Sequence, residues 1–158
     1  MATEPFETAE SSGYPTVTQI SVFLENRMGQ LLRLTRVFDD TDVRILGMSV
    51  DDSFEYAVAR LLMDDPELAT EVLQRGGFAL TQREVLAVVV PSGKRGLLAI
   101  CAALLGAEVN VHYAYTLLQT ATGRPAIVLA VDNEEMAVKT LLSKHFEVLD
   151  QGDLKGLR

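Results

Sequence analysis

The sequence predicts an α+β chain of two β-α-β-β-α-β units in tandem. Each is an antiparallel sheet with its helices on one face, the ferredoxin-like arrangement. Two observations lead there. The hydrophobic period alternates between two and about 3.6 in the order strand, helix, strand, strand, helix, strand. The second half of the 158 residues then repeats that order.

Val17 to Glu25 opens the first unit as a strand, with Ile20, Val22 and Leu24 on one face. Asn26-Arg27-Met28-Gly29 breaks it. Leu31, Leu34, Thr35 and Phe38 follow at the spacing of an amphipathic helix, which Asp39-Asp40-Thr41-Asp42 ends. Val43 to Val50 reads as a strand, Asp51-Asp52-Ser53 as its turn and Phe54 to Met63 as the hairpin partner. Asp65 caps a second helix with Pro66 at its first position. Leu68, Val72 and Leu73 form its apolar face, Gly76-Gly77 stops it, and Phe78 begins the last strand.

In the second unit Val85 to Val90 is the first strand and Pro91 to Gly96 the break. Leu98, Cys101, Ala102 and Leu105 then stand at the spacing of Leu31, Leu34, Thr35 and Phe38, which makes them the predicted buried face of the helix. Val109-Asn110-Val111 answers Val43-Arg44-Ile45. Thr120 to Arg124 is the hairpin turn, and Ala126 to Val131 the partner strand. Asn133 caps a helix carrying Met136, Ala137, Leu141 and Leu142, and Phe146 to Val148 matches Phe78 to Leu80. The units are expected over 16–82 and 83–151, meeting near Thr81 to Val85, with tails at 1–15 and 152–158. Strands Val85–Val90 and Ala126–Val131 have no polar side. A sheet covered on one face alone alternates more cleanly, so the other repeat, a second chain or both must cover the open faces. A homodimer is the expectation.

Composition narrows the function classes. Hydrophobic residues make up 48% of the chain, enough for a core, and there is no Trp. The net charge of −8 disfavours nucleic acid, whose binding depends on neutralising phosphates. The single cysteine, Cys101, forms no internal disulfide and fits a reducing compartment. The first residues, MATEPFETAESSGYP, have the pattern of neither a signal peptide nor a targeting helix. The longest apolar run is too short to span a bilayer. The expectation is a cytoplasmic protein with no membrane and no nucleic-acid partner.

The segment ISVFLENRMGQLLRLTRVFDDTDVRI resembles the opening of an ACT domain. The matching residues are Asn26, Gly29, Leu31, Leu34, Phe38, Val43 and Ile45. The second half is similar through Gly96, Leu98 and Val109-Asn110-Val111, but it lacks the turn's Asn and reads as carrying an extra residue there. The resemblance spans about Thr18 to Asp150. It implies a regulatory, non-catalytic module that binds a free amino acid near the first strand, first helix and second strand of each unit. The residues it singles out are Asn26, Arg27, Met28, Gly29, Gln30, Leu31, Met48 and Ser49 in the first unit. In the second they are Ser92, Gly93, Gly96, Leu97 and Asn110. Elementary chemistry agrees, because a glycine at a helix start admits a ligand close to the backbone and the free N–H groups there favour a carboxylate. Asn26 and Gln30 would orient the rest of the ligand, and Lys94 and Arg95 add positive charge to the second turn. The turn Leu-Glu-Asn-Arg-x-Gly is also similar to that of acetolactate synthase regulatory subunits, so an accessory subunit of a biosynthetic enzyme stands as the alternative.

Each feature also has a plainer reading. Gly29 serves a tight turn, Asn26 a cap, and Lys94 and Arg95 a solvated loop. Cys101 reads as core and His112 as structural, and His145 sits where a helix end favours positive charge. The aspartates at 39, 40 and 42 and at 51 and 52 lack the spacing of a calcium loop. No clustered acid, base or nucleophile is visible, so no catalytic residue, cofactor or metal is expected.

Overall fold

Alternation of Ile20, Val22 and Leu24 with Gln19, Ser21 and Phe23 makes strand β1 (Val17–Glu25) two-faced. The computed structural model describes residues 13–155. After β1 come α1 (Gln30–Arg36), β2 (Ile45–Asp52), β3 (Tyr56–Met63), α2 (Pro66–Arg75) and β4 (Ala79–Val89). The second half runs α3 (Gly96–Gly106), β5 (Val111–Thr116), β6 (Ala126–Val131), α4 (Glu134–Ser143), β7 (Val148–Leu149) and α5 (Gln151–Leu154). The expected element order is therefore present twice. Asp51 and Asp52 extend β2 instead of turning, because Ser53 closes the hairpin. Its N–H and Oγ–H both donate to the Tyr56 carbonyl, at 2.9 and 2.7 Å.

The two units do not meet at a linker. No glycine or proline interrupts Thr81–Val85, and β4 runs through it unbroken. The first half of β4 pairs antiparallel with β1, from Ala79↔Phe23 to Val85↔Val17. Its second half pairs with β6, from Leu86↔Leu129 to Val89↔Ala126, and with β7. The expected boundary at residues 82 and 83 thus lies inside one strand, which is fourth in the first repeat and first in the second. The path is β2-β3-β1-β4-β6-β5, with β7 beside β4. It curls until its edge strands meet at a bridge between Gly47 and Leu117, where the Leu118 N–H donates to the Leu46 carbonyl at 2.6 Å.

This curl separates three cores. Ile20, Val22, Leu34, Phe38, Leu61 and Leu73 pack between the first half-sheet and its helices. Leu86, Val88, Ile100, Leu104, Leu129 and Leu141 do so in the second. Val17, Leu62, Val85, Ala87, Val89, Val128 and Ala130 fill the inside of the curl, where the two open faces cover each other. The apolar second faces of Val85–Val90 and Ala126–Val131 are accounted for within one chain. They require no second copy.

Duplication is visible in backbone detail. The Arg44 N–H donates to Asp64 Oδ1 at 2.8 Å, and the Asn110 N–H to Asp132 Oδ1 at 3.0 Å. Asp65 and Asn133 cap α2 and α4 through Leu68 N and Met136 N. Leu34, Phe38 and Val43 correspond in spacing and burial to Ile100, Leu104 and Val109. Asn26 then corresponds to Ser92, and the second turn has no extra residue. This corrects the predicted face of α3. Its buried residues are Gly96, Ile100, Ala103 and Leu104. Leu98, Cys101, Ala102 and Leu105 are exposed, Cys101 included. A slip of one residue turns a helix by about 100°, and an apolar residue at nearly every position of α3 hides the slip.

Residues 152–154, expected in a tail, belong to α5. Leu154 is buried in the inner core, and the Gln151 side chain receives the Thr18 N–H at 3.1 Å and donates to the Met63 carbonyl at 3.1 Å. The expected tail segments 1–12 and 156–158 lie outside the described residues.

Among the described residues Gln19 is the buried polar side chain, at 0% exposure. It stands on β1 and bonds β5 across the curl. Its Nε2 donates to Tyr113 Oη at 2.7 Å, and its Oε1 accepts from Tyr115 Oη at 2.8 Å. Burial, and then the neighbouring Tyr113, push the Tyr115 phenol well above its ordinary value, with Arg60 opposing weakly. The folded state therefore keeps a proton that the unfolded chain loses above about pH 10. Stability should be intact below that pH and fall as pH rises through it. Tyr115→Phe should cost about 1–2 kcal/mol at neutral pH by stranding Gln19, and should flatten the alkaline decline in urea unfolding. An equally steep decline in the variant would exclude Tyr115 as its source.

Candidate functional site

Helix starts divide into two kinds. Asp65, Asn133 and Asp150 cap α2, α4 and α5 with side-chain oxygens. The helices that follow the first strand of each repeat, α1 and α3, have no side-chain cap. Their first backbone N–H groups point out of the helix start without a side-chain acceptor, with the positive end of the peptide dipoles behind them.

In the first turn Gly29 holds the N-cap position at φ 85°, a left-handed conformation that an L side chain adopts only with strain. The space over its Cα is open, because a Cβ built there meets nothing within 4 Å. Met28 is fully exposed. Arg27 Nε pairs with Glu25 at 2.8 Å, Asn26 Nδ2 reaches the Ser53 carbonyl at 3.5 Å, and Gln30 Oε1 accepts from Arg33 at 3.5 Å. Asn26 thus ties the turn to the β2–β3 hairpin rather than capping α1. Leu31 is partly exposed, whereas Leu34 and Phe38 face the sheet. Met48 packs against the first core, and Ser49 faces the inside of the curl opposite Arg60.

The second turn is built differently. The position of Gly29 is taken by Arg95, at φ −99°, and the left-handed residue is Gly93, at φ 94°. Gly96 is buried for lack of room, since a Cβ there would lie 2.2 Å from the Pro91 carbonyl oxygen. Ser92, Lys94, Arg95 and Leu97 are exposed. Asn110 is not brought to this turn. It lies beside Asp132, next to the Val111↔Val131 pair, whereas the turn leaves the sheet beside Ala126 at the other end of β6. Its shared role with Arg44 in the duplicated backbone lock explains it. The turns themselves sit at opposite ends of the eleven-residue β4, about 35 Å apart.

Sequence reasoning missed the polar cluster inside the curl. Arg60 lies over the Tyr113 ring, 3.9 Å from its centroid, and pairs with Asp51. Arg83 Nη2 donates to the Val131 carbonyl at 2.9 Å. Its residues are scattered over β1, β2, β3, β4 and β5, and only strand parity placed them on one side. A shallow cavity of about 90 Å³, lined by Val89, Thr120, Thr122, Glu147, Asp153 and Leu154 among others, opens at the end of β4. That volume holds a few waters. Among the described residues no group of three or more His, Cys, Asp or Glu is placed to hold a metal, and no helix is long and apolar enough to cross a membrane.

A family model described as an ACT domain pair matches residues 15–158. Among solved structures, a protein from Bacteroides thetaiotaomicron superposes with a TM-score of 0.82 at 22% identity, covering 91% of this chain and 99% of that one. The ligand-free regulatory subunit of aspartate kinase from Thermus thermophilus gives 0.58 at 12% identity, over 82% and 93% of the two chains. The same subunit from Thermus flavus gives 0.53 at 13% identity, over 82% and 92%. At these identities the likeness is one of fold. No curated protein matches.

The two turn glycines should respond differently to an added methyl group. Gly29→Ala should cost about 1–2 kcal/mol, the strain of a left-handed L residue. Gly96→Ala should cost about 3 kcal/mol, because α3 must move away from Pro91. Urea unfolding of both variants decides it, and equal losses would mean that α3 does not need its close approach to Pro91.

Proposed function

We propose that this chain, which belongs to the ACT domain pair family, is a non-catalytic regulatory module that binds a free amino acid at the turn Asn26–Leu31. The observation that carries the reading is the left-handed Gly29 at an uncapped helix start with open space above it. The first N–H groups of the turn receive the α-carboxylate, charge-assisted bonds of the stronger kind. Asn26 and Gln30 orient the amino group, whereas Met48 and Ser49 stand level with Ile20 and Ser21, well down the sheet from the turn, and take no part in the site. The second turn, with Ser92, Gly93, Gly96 and Leu97 beside Lys94 and Arg95, offers a more cationic site of different shape.

A second reading has its own support. Two of the similar structures are regulatory subunits of aspartate kinase that this chain matches over nearly their full length. A pair of ACT domains fits an accessory subunit of an amino-acid biosynthetic enzyme, acetolactate synthase included.

A thermal-shift screen of the protein against the free amino acids tests the first reading, since an occupied site at a hundredfold excess over Kd adds about 2.7 kcal/mol. Titration calorimetry of the amino acid that raises Tm should show Asn26→Ala binding more weakly by roughly 0.5–1.5 kcal/mol. A screen without any shift removes the amino-acid reading and leaves the accessory-subunit one, which copurification with a defined catalytic subunit examines separately.

A further inference from the structure

α3 has eleven residues and no charged side chain. Its inward face is Gly96, Ile100, Ala103 and Leu104. The opposite face carries Leu98, Cys101, Ala102 and Leu105, with Leu97 beside them. Leu98 is 56% exposed and Leu105 77%. The other long helices do not share this property: α2 turns Glu67, Glu71 and Arg75 outward, and α4 turns Glu135 and Lys139 outward. A helix apolar all round belongs in an interior. The outward residues also stand at i, i+3, i+4 and i+7, the spacing of a helix-packing seam.

We propose that this outward face of α3 is the contact between two copies of the chain, with the α3 helices antiparallel about a two-fold axis beside Cys101 and Ala102. Three features select a second copy as the occupant. The seam is self-complementary, since large Leu98 and Leu105 flank small Cys101 and Ala102. Antiparallel pairing puts each Leu98 on the partner's Leu105 and lets the backbones approach at the small residues. An interface formed by one patch meeting itself is what two-fold symmetry requires. The ends of the helix supply the third feature. Exposed Lys94 and Arg95 precede α3, and exposed Glu108 follows it. Antiparallel copies bring the basic end of each beside the acidic end of the other, and parallel copies would oppose like charges. The chain's net charge of −8 disfavours casual association, whereas this face is uncharged and its rim attractive.

The geometry brings the two Cys101 thiols close enough to the axis to join, and Cys101 is the only cysteine in the chain. Diamide takes up the two thiol hydrogens and leaves a disulfide between the copies, the diamide being reduced to its hydrazine. The intact chain treated with diamide should run as a covalent dimer on a non-reducing gel, and Cys101→Ser should not. Without oxidant, light scattering should give a dimer for the parent and a monomer for the double variant Leu98→Glu, Leu105→Glu. Both positions are exposed, so circular dichroism and the thermal melt of that variant should match a folded monomer. A monomeric parent at high concentration would overturn the proposal. So would a dimer that survives the double variant, or a dimer whose Cys101 thiols fail to cross-link.

Discussion

β4 has to satisfy two repeats at once, and the rest of the architecture follows from that requirement. Its first half donates and accepts ladder hydrogen bonds with β1, and its second half does so with β6 and β7. A strand committed in this way cannot hinge. The half-sheets are therefore fixed relative to each other by backbone hydrogen bonding and not by a flexible linker. Because strands twist, the continuous sheet curls until β2 and β5 touch. Both faces of the second half of β4, Val85 to Val89, then lie in apolar surroundings, the helices on one side and the other repeat on the other.

Closure leaves a polar problem, and Gln19 carries its solution. A buried amide costs free energy unless its donors and acceptor are met. Tyr113 and Tyr115 meet them from the opposite repeat, and Ser21 adds an acceptor at 3.3 Å. The apolar inner core supplies stability without direction. The amide and the two phenols have directional needs, and they specify how β5 faces β1.

The same strand sets the functional geography. β1 and β4 are antiparallel, so the turns that leave them open at opposite ends of the molecule. One ligand cannot touch both. The duplicated helix starts share the absence of a side-chain cap but differ in backbone, with glycine at one N-cap position and arginine at the other. Duplication preserved the frame, and the two turns diverged on it.

Much of this was determined by the sequence alone. Strand and helix periods, the caps Asp65 and Asn133, the stop at Gly76-Gly77 and the repeated order are local signals, readable because backbone geometry fixes side-chain spacing. The turn Asn26–Leu31 and the family likeness were legible for the same reason. Only the tertiary structure decided what depends on distant neighbours. It put Ile100 and Leu104 inside and Cys101 outside, because a helix apolar on every face contains no local record of which face meets the sheet. It separated Asn110 from the Ser92–Gly96 turn, because those lie at the two ends of a strand. It buried Gln19, polar by itself, because its partners stand on β5, more than ninety positions along the chain. It merged the end of one repeat with the start of the next, because the pairing partners of β4 come from both halves.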